Sequence, residues 1–87
     1  MHLRIFDGEY RIKTDRDPDF ARSVATYLSK KMVEASKQGG AWNREVLAVV
    51  AAMNITEELF DERERTRKLR RRIIELTERL RSALQRR

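Results

Sequence analysis

The chain has 87 residues, 40% apolar and 39% charged, with a formal net charge of +6, no cysteine and one histidine. That length allows one small domain, whose core is thin unless disulfides, metals or partners supplement it. Without cysteine there are no disulfides, and His2 alone cannot found a zinc or iron site, so partners are what remains.

The charge is unevenly spread. Residues 1–60 hold 9 Lys/Arg and 9 Asp/Glu, whereas residues 61–87 hold 11 and 5, so the net charge lies in the tail. Such asymmetry marks an interaction tail, with nucleic acid, an anionic membrane or an acidic protein as target classes. The longest nearly continuous apolar run, Val46 to Met53, is far short of the roughly 20 residues that span a bilayer. The N-terminus reaches Asp7 and Gly8 before a signal-type apolar region develops. The expectation is a cytoplasmic protein with no membrane span.

The first predicted element is a β-hairpin, since Asp7-Gly8 suits a two-residue type I′ turn. With Phe6 opposite Glu9, the register sets Ile5 against Tyr10, Arg4 against Arg11 and Leu3 against Ile12. Leu3, Ile5, Tyr10 and Ile12 then share an apolar face, with Arg4, Arg11 and Lys13 on the other. A lone hairpin is marginal in water and needs helices over its apolar face.

Asp17 is suited to cap a helix whose first residue is Pro18. Phe20, Val24, Tyr27, Leu28, Lys31 and Ala35 then form one amphipathic face, with Lys31 laying its stem along the core and carrying its charge outward. Gly39-Gly40 ends this helix. The next begins at Asn43 as N-cap, with Glu45 in its first turn and Trp42 placed to staple onto Leu47. No glycine or proline follows from Ala41 to Arg87, so about 44 residues would form one helix roughly 65 Å long.

That helix divides into zones. VLAVVAAMNI, from Val46 to Ile55, is apolar all round except at Asn54. One hairpin and one helix cover about half of such a surface. A second copy is the economical cover for the rest, so Val46, Val49, Val50, Met53, Asn54 and Ile55 are the expected dimer core. Asn54 either bonds to the hairpin or loop of its own chain or fixes register between two symmetric helices. DERERTRK, Asp61 to Lys68, is a solvated spacer with Asp61–Arg65 and Glu64–Lys68 as i,i+4 pairs. Beyond it Leu69, Ile73, Leu76, Leu80 and Ala83 step by heptads, with Ile73 and Leu80 at a and Leu69, Leu76 and Ala83 at d. Traced backwards, the same phase meets Thr66, Glu62, Leu59, Ile55 and Ala52. Two clean heptads zip only when the heads already hold the chains together or when four chains share the seam.

No enzyme constellation emerges. His2 stands alone. Asp15, Asp17 and Asp19 lack the glycine and bidentate glutamate of a calcium loop. Ser23 and Ser36 have no base in a recognisable motif, and the glycines make no phosphate-binding pattern. No cofactor and no metal are expected. Arginines 63, 65, 67, 70, 71 and 72 with Lys68 precede a zipper as in bZIP proteins. Yet Asp61, Glu62 and Glu64 interrupt them and no asparagine is placed to read bases.

The arrangement is familiar as a whole: a hairpin with IFDGEYRIK, a helix opened by DPDF and running through A-x-Y-L-x-x-K-M, a glycine-ended loop, then EVLAVVAAMNITEEL leading into a charged coiled coil. It resembles the ZapA family of bacterial Z-ring-associated cell-division proteins across nearly the whole chain. AAMNITEEL, close to the family's A-A-L-N-I-x-x-E-L, is the most specific piece. The residues read as an α+β fold with a head/dimerisation domain over residues 1–60 and a basic coiled-coil tail over 61–87, and the resemblance implies the same head and coiled-coil arrangement. It implies a homodimer through the head, a homotetramer through antiparallel coiled coils, a place at the division site, and non-enzymatic cross-linking of filaments of the tubulin-like protein FtsZ. Carried over by position, it nominates Glu45 and Val50 as FtsZ-binding residues; Arg4 and Arg11 are nearby basic groups named on exposure alone. Two departures stand out. The hairpin tip here is Asp7-Gly8, so a basic tip contact does not transfer, and the tail is short and unusually basic. The alternative is an oligomeric coiled-coil protein whose tail binds nucleic acid or another polyanion.

Overall fold

A computed structural model describes residues 1–40 and 42–86; Ala41 and the tail's terminal Arg87 lie outside the description. In chain order it contains β1 (His2–Ile5), β2 (Gly8–Arg11), α1 (Pro18–Ser36) and α2 (Arg44–Gln85). This is the expected α+β fold, a hairpin and a shorter helix followed by one long C-terminal helix. The chain forms two compact units, Met1–Thr56 and Glu57–Arg87, and α2 contributes to both.

The strands pair antiparallel as His2↔Arg11, Leu3↔Tyr10, Arg4↔Glu9 and Ile5↔Gly8, and the Ile12 N–H extends the ladder by donating to the Met1 carbonyl at 2.8 Å. The expected register is therefore corrected by two residues, and Phe6-Asp7 forms the turn in place of Asp7-Gly8. Because the displacement is even, no side chain changes face, and Leu3, Ile5 and Tyr10 remain together. Among the described non-glycine residues only Phe6 has a positive φ, 58°. That conformation costs a bulky residue on the order of 1–3 kcal/mol and persists only where its surroundings fix it. Here the Phe6 N–H donates to Ser29 Oγ at 2.8 Å, and the Phe6 ring packs on the cluster of Met32, Ala35, Leu47 and Ala51. Gly8 matters for a different reason than positive φ. A Cβ there would lie 2.9 Å from the ring and hydroxyl of Tyr10.

Helix α1 opens as its sequence predicts, the Asp17 carboxylate accepting from the N–H groups of Asp19 (3.1 Å) and Phe20 (3.3 Å), with Pro18 at the first helical position. Its inward face, however, is rotated from the expected stripe. Ala21, Ala25, Met32 and Ala35 are buried, whereas Phe20, Val24 and Tyr27 are exposed. Leu3 is buried against Ala21 and Ala25; their methyl side chains allow a strand to approach closely where larger residues would hold it off. Lys31 behaves as expected, its side chain only 16% exposed, with Nζ 3.5 Å from Glu34 and 5.4 Å from the Tyr27 ring centre. The helix ends at Ser36, where the N–H groups of Lys37 and Gln38 donate to the carbonyls of Glu34 and Ala35. Gly39 and Gly40, at φ 95° and 93°, then turn the chain.

Helix α2 starts on Asn43, whose Oδ1 accepts from the Val46 N–H at 2.9 Å, and continues for 42 residues. Leu47 and Ala51 turn inward onto Met32 and Ala35, with Ile5, Leu28, Ala48 and Val50 packed around them. Four of the seven buried apolar residues of the described chain are alanine. The larger apolar side chains lie mostly outside, the reverse of what a self-sufficient core shows.

Candidate interaction surfaces

The first surface lies on α2 within Met1–Thr56. Leu47 and Ala51 take one face; Val46, Val49 and Met53 occupy another and are 38%, 56% and 60% exposed. Their spacing of three and four keeps them in one stripe. Complete burial of a fully exposed side chain of this kind stabilises by about 1.5–3 kcal/mol, and the part of that still open at these half-exposed residues is what the stripe offers a partner. The remaining nominated core residues, Val50, Asn54 and Ile55, are half-buried. Asn54 follows Leu47 and Ala51 at i+7 and i+3, which sets it on the inward face of α2 and off the exposed stripe. Its side chain makes no hydrogen bond with the described residues, so of the two readings open for it a bond to its own hairpin or loop is not seen there.

The second surface is the hairpin with the start of α2. Arg44 Nε lies 2.6 Å from Asp7 Oδ1, and its Nη1 donates to the Tyr10 hydroxyl at 3.4 Å. The Arg44 guanidinium, chiefly through its hydrogen bond, holds the Asp7 carboxyl below the usual carboxylate range, while the carboxylate raises Arg44. Neither residue was nominated from the sequence. One signal was present: a basic residue opening a helix opposes the positive end of the helix dipole, so Arg44 needs a local anion. Of the nominated residues, Arg4 pairs across the strands with Glu9 and Arg11 with His2, which corrects the expected Arg4–Arg11 apposition and removes a like-charge pair. Both arginines are exposed, as is Glu45; Val50 is half-buried beside Leu47. Ser29 was also missed, and its hydroxyl connects the hairpin turn to α1, accepting from Phe6 and donating to the Ala25 carbonyl at 2.9 Å.

The third surface is the tail, Glu57–Arg87, described by itself. Leu69, Ile73, Leu76 and Leu80 are each at least half exposed, and they fall at heptad spacing along continuous helix. The spacer's ion pairs are i,i+3 in place of the expected i,i+4 pairs: Arg65 with Glu62 at 2.5 Å and Arg67 with Glu64 at 2.9 Å. Exposed pairs of this kind contribute a few tenths of a kcal/mol.

The serine hydroxyls considered above donate to carbonyls of their own helix, Ser23 to Asp19 at 3.0 Å and Ser36 to Val33 at 2.6 Å. Among the described residues no three metal-ligating side chains converge, and no helix is long and apolar enough to cross a membrane.

A small α+β unit with an uncovered apolar helix face, and a helix bearing an exposed heptad seam, are features shared with assembly proteins. The chain belongs to the ZapA family: the family model "Cell division protein ZapA" matches residues 1–86. The chain is 36% identical to the cell division protein ZapA of Pseudomonas aeruginosa PAO1 over 97% of its own length and 86% of the relative's. It is 34% identical to that of Shouchella clausii over 64% of this chain and 72% of the relative. A solved structure described as an unknown conserved bacterial protein from Pseudomonas aeruginosa PAO1 superposes with a TM-score of 0.69 at 34% identity, covering 92% of this chain and 93% of the other. The protein is thus a ZapA-family cell-division protein, a family of structural proteins.

Proposed function

We propose that this protein binds and cross-links FtsZ filaments at the division site, promoting assembly and stability of the Z-ring, without catalysing a reaction. The observation that carries the reading is the uncovered stripe of Val46, Val49 and Met53. It supports pairing of two heads, with Val50 bordering the stripe and Asn54 and Ile55 proposed as contributors from other faces of α2. A dimer presents two copies of every head surface, and two dimers joined through the Leu69–Ala83 seam present four. Bundling of filaments then follows from multivalency, since a second attachment is an intramolecular event. Glu45 and Val50, with Arg4 and Arg11 nearby, are the proposed FtsZ-contacting residues. Residues 1–60 act as the head and 61–87 as the tail.

Sedimentation of FtsZ polymers with this protein, read together with light scattering, tests the proposal. Co-pelleting and increased scattering at moderate salt are expected; neither appearing would overturn it. The tail's surplus positive charge supports a second reading, nucleic-acid binding. A retardation assay across a salt series separates the two, because phosphate neutralisation loses affinity steeply as salt rises.

A further inference from the structure

The hairpin does not close fully over α1. Ala21 and Ala25 let Leu3 approach closely, but their methyl groups fill little of the space beside it. A groove of about 280 Å³ remains, walled by Leu3, Ile5 and Ile12 on the hairpin side and by Phe20, Val24 and Leu28 on the helix side. Phe20 and Val24 are 47% and 52% exposed. The polar part of the lining is Thr14 and Arg16, on the connection that leads into α1. The Arg16 guanidinium stacks on the Phe20 ring, 4.2 Å from its centre, and forms no ion pair among the described residues. Two nearby acids are engaged elsewhere: the Asp17 carboxylate caps α1, and Asp19 pairs with Arg22 at 2.8 Å.

Among the described residues none from α2 lines this groove. The head stripe and the tail seam, through which copies of this chain are proposed to pair, both lie on α2, so neither of those interfaces uses the groove's walls. Its size limits the occupant. Sites that enclose a whole small ligand run to roughly 300–1,000 Å³, and this groove falls below that range. It suits one or two large side chains anchoring a chain that continues outside. A phosphate group alone would satisfy Arg16 and leave the apolar walls in water.

We propose that the groove between the hairpin and α1 is a docking site for a segment of another protein, one that presents a large apolar side chain with a carboxylate beside it. The apolar group seats against Phe20 and Val24, and the carboxylate accepts from Arg16. Stacking on Phe20 holds the guanidinium plane in place before a partner arrives, so less freedom is lost when the pair forms. The planar fork then fixes the orientation of the carboxylate as well as its charge. The inference is independent of FtsZ binding, and its test contains no FtsZ.

The probes are three short labelled synthetic peptides. The first has a leucine-phenylalanine pair flanked by glutamates, the second the same pair flanked by lysines, and the third serines in place of the pair with the glutamates kept. Fluorescence anisotropy with the full chain is expected to show the first binding about tenfold or more tighter than either of the others. Arg16→Glu is expected to reverse the preference between the first two, an outcome that a merely structural role would not produce. Val24→Glu, at a half-exposed position, is expected to lose the first peptide while leaving helicity and the mass in sedimentation unchanged. No binding of the first peptide, equal binding of the first two, undiminished binding of the third, or indifference to both substitutions would overturn the proposal. So would a fall in mass with Val24→Glu, which would make the groove an interface between copies. Binding to phosphatidylglycerol vesicles that Val24→Glu abolishes, without binding of the first peptide, would assign the groove to a lipid surface and overturn it too.

Discussion

Asp7 and Arg44 lie 37 positions apart in sequence and hold a hairpin turn against the start of a helix at 2.6 Å. The pair offsets two local liabilities, a positive φ at Phe6 and a basic residue at a helix start. The Asp7 carboxyl titrates below its ordinary value of about 3.8 in the folded chain. Its contribution is therefore fully present above that ordinary value and is lost as pH falls through the lower, folded one. Asp7→Asn is expected to lower the melting temperature at neutral pH, and the gap from the parent chain should close in acid below pH 4. A gap of constant size from pH 7 to pH 3 would show that the ion pair is not its source. The caps Asp17 and Asn43 were legible in the sequence because a cap is a local bond to the following turn. Arg44 and Ser29 were not, since their partners are remote and no periodicity announces them. The hairpin was legible as an element and as a set of faces. Its register was not, because the turn rule for Asp-Gly was outweighed by the anchoring of Phe6 on the helices and by the Tyr10 ring lying over Gly8.

At the scale of elements, both helices and their limits follow from caps, glycines and an uninterrupted run of helix formers. What the pattern misjudged is which face of α1 turns inward. Phe20, Val24 and Tyr27 make the more hydrophobic stripe, yet the alanine side packs against β1, because close approach of a strand rewards small residues over large ones. The consequence for α2 is a division of labour that substitution tests. Leu47→Ala is expected to destabilise the head by about 2–5 kcal/mol through the cavity it leaves on Met32 and Ala35, measured by urea unfolding. Val49→Asp, at a position 56% exposed within one chain, is expected to leave the helix content intact while shifting the protein to lower mass in sedimentation. If Val49→Asp left the mass unchanged, the exposed stripe would not be the head interface. The long helix and the chemistry of its zones could be read from sequence alone. Asn54 could not, since its place on the inward face depends on which side of α2 the first helix covers.

For the whole molecule, the physical theme is surface that one chain leaves uncovered, in the head by large apolar residues lying outside an alanine-rich core and in the tail by an exposed heptad seam. The two surfaces make separable predictions. Truncation after Lys68 should leave a folded dimer and remove any tetramer, and Ile73→Glu with Leu80→Glu should act like the truncation, both read by mass in solution. Cross-linking of filaments depends on more than one head per particle, so the assembly state bears on every functional step above. The most direct measurement is sedimentation equilibrium of the full-length chain beside the chain truncated after Lys68, each checked for helicity. The account predicts that the full-length chain is a dimer or larger and the truncated chain a dimer. A well-folded monomer for the truncated chain would contradict it.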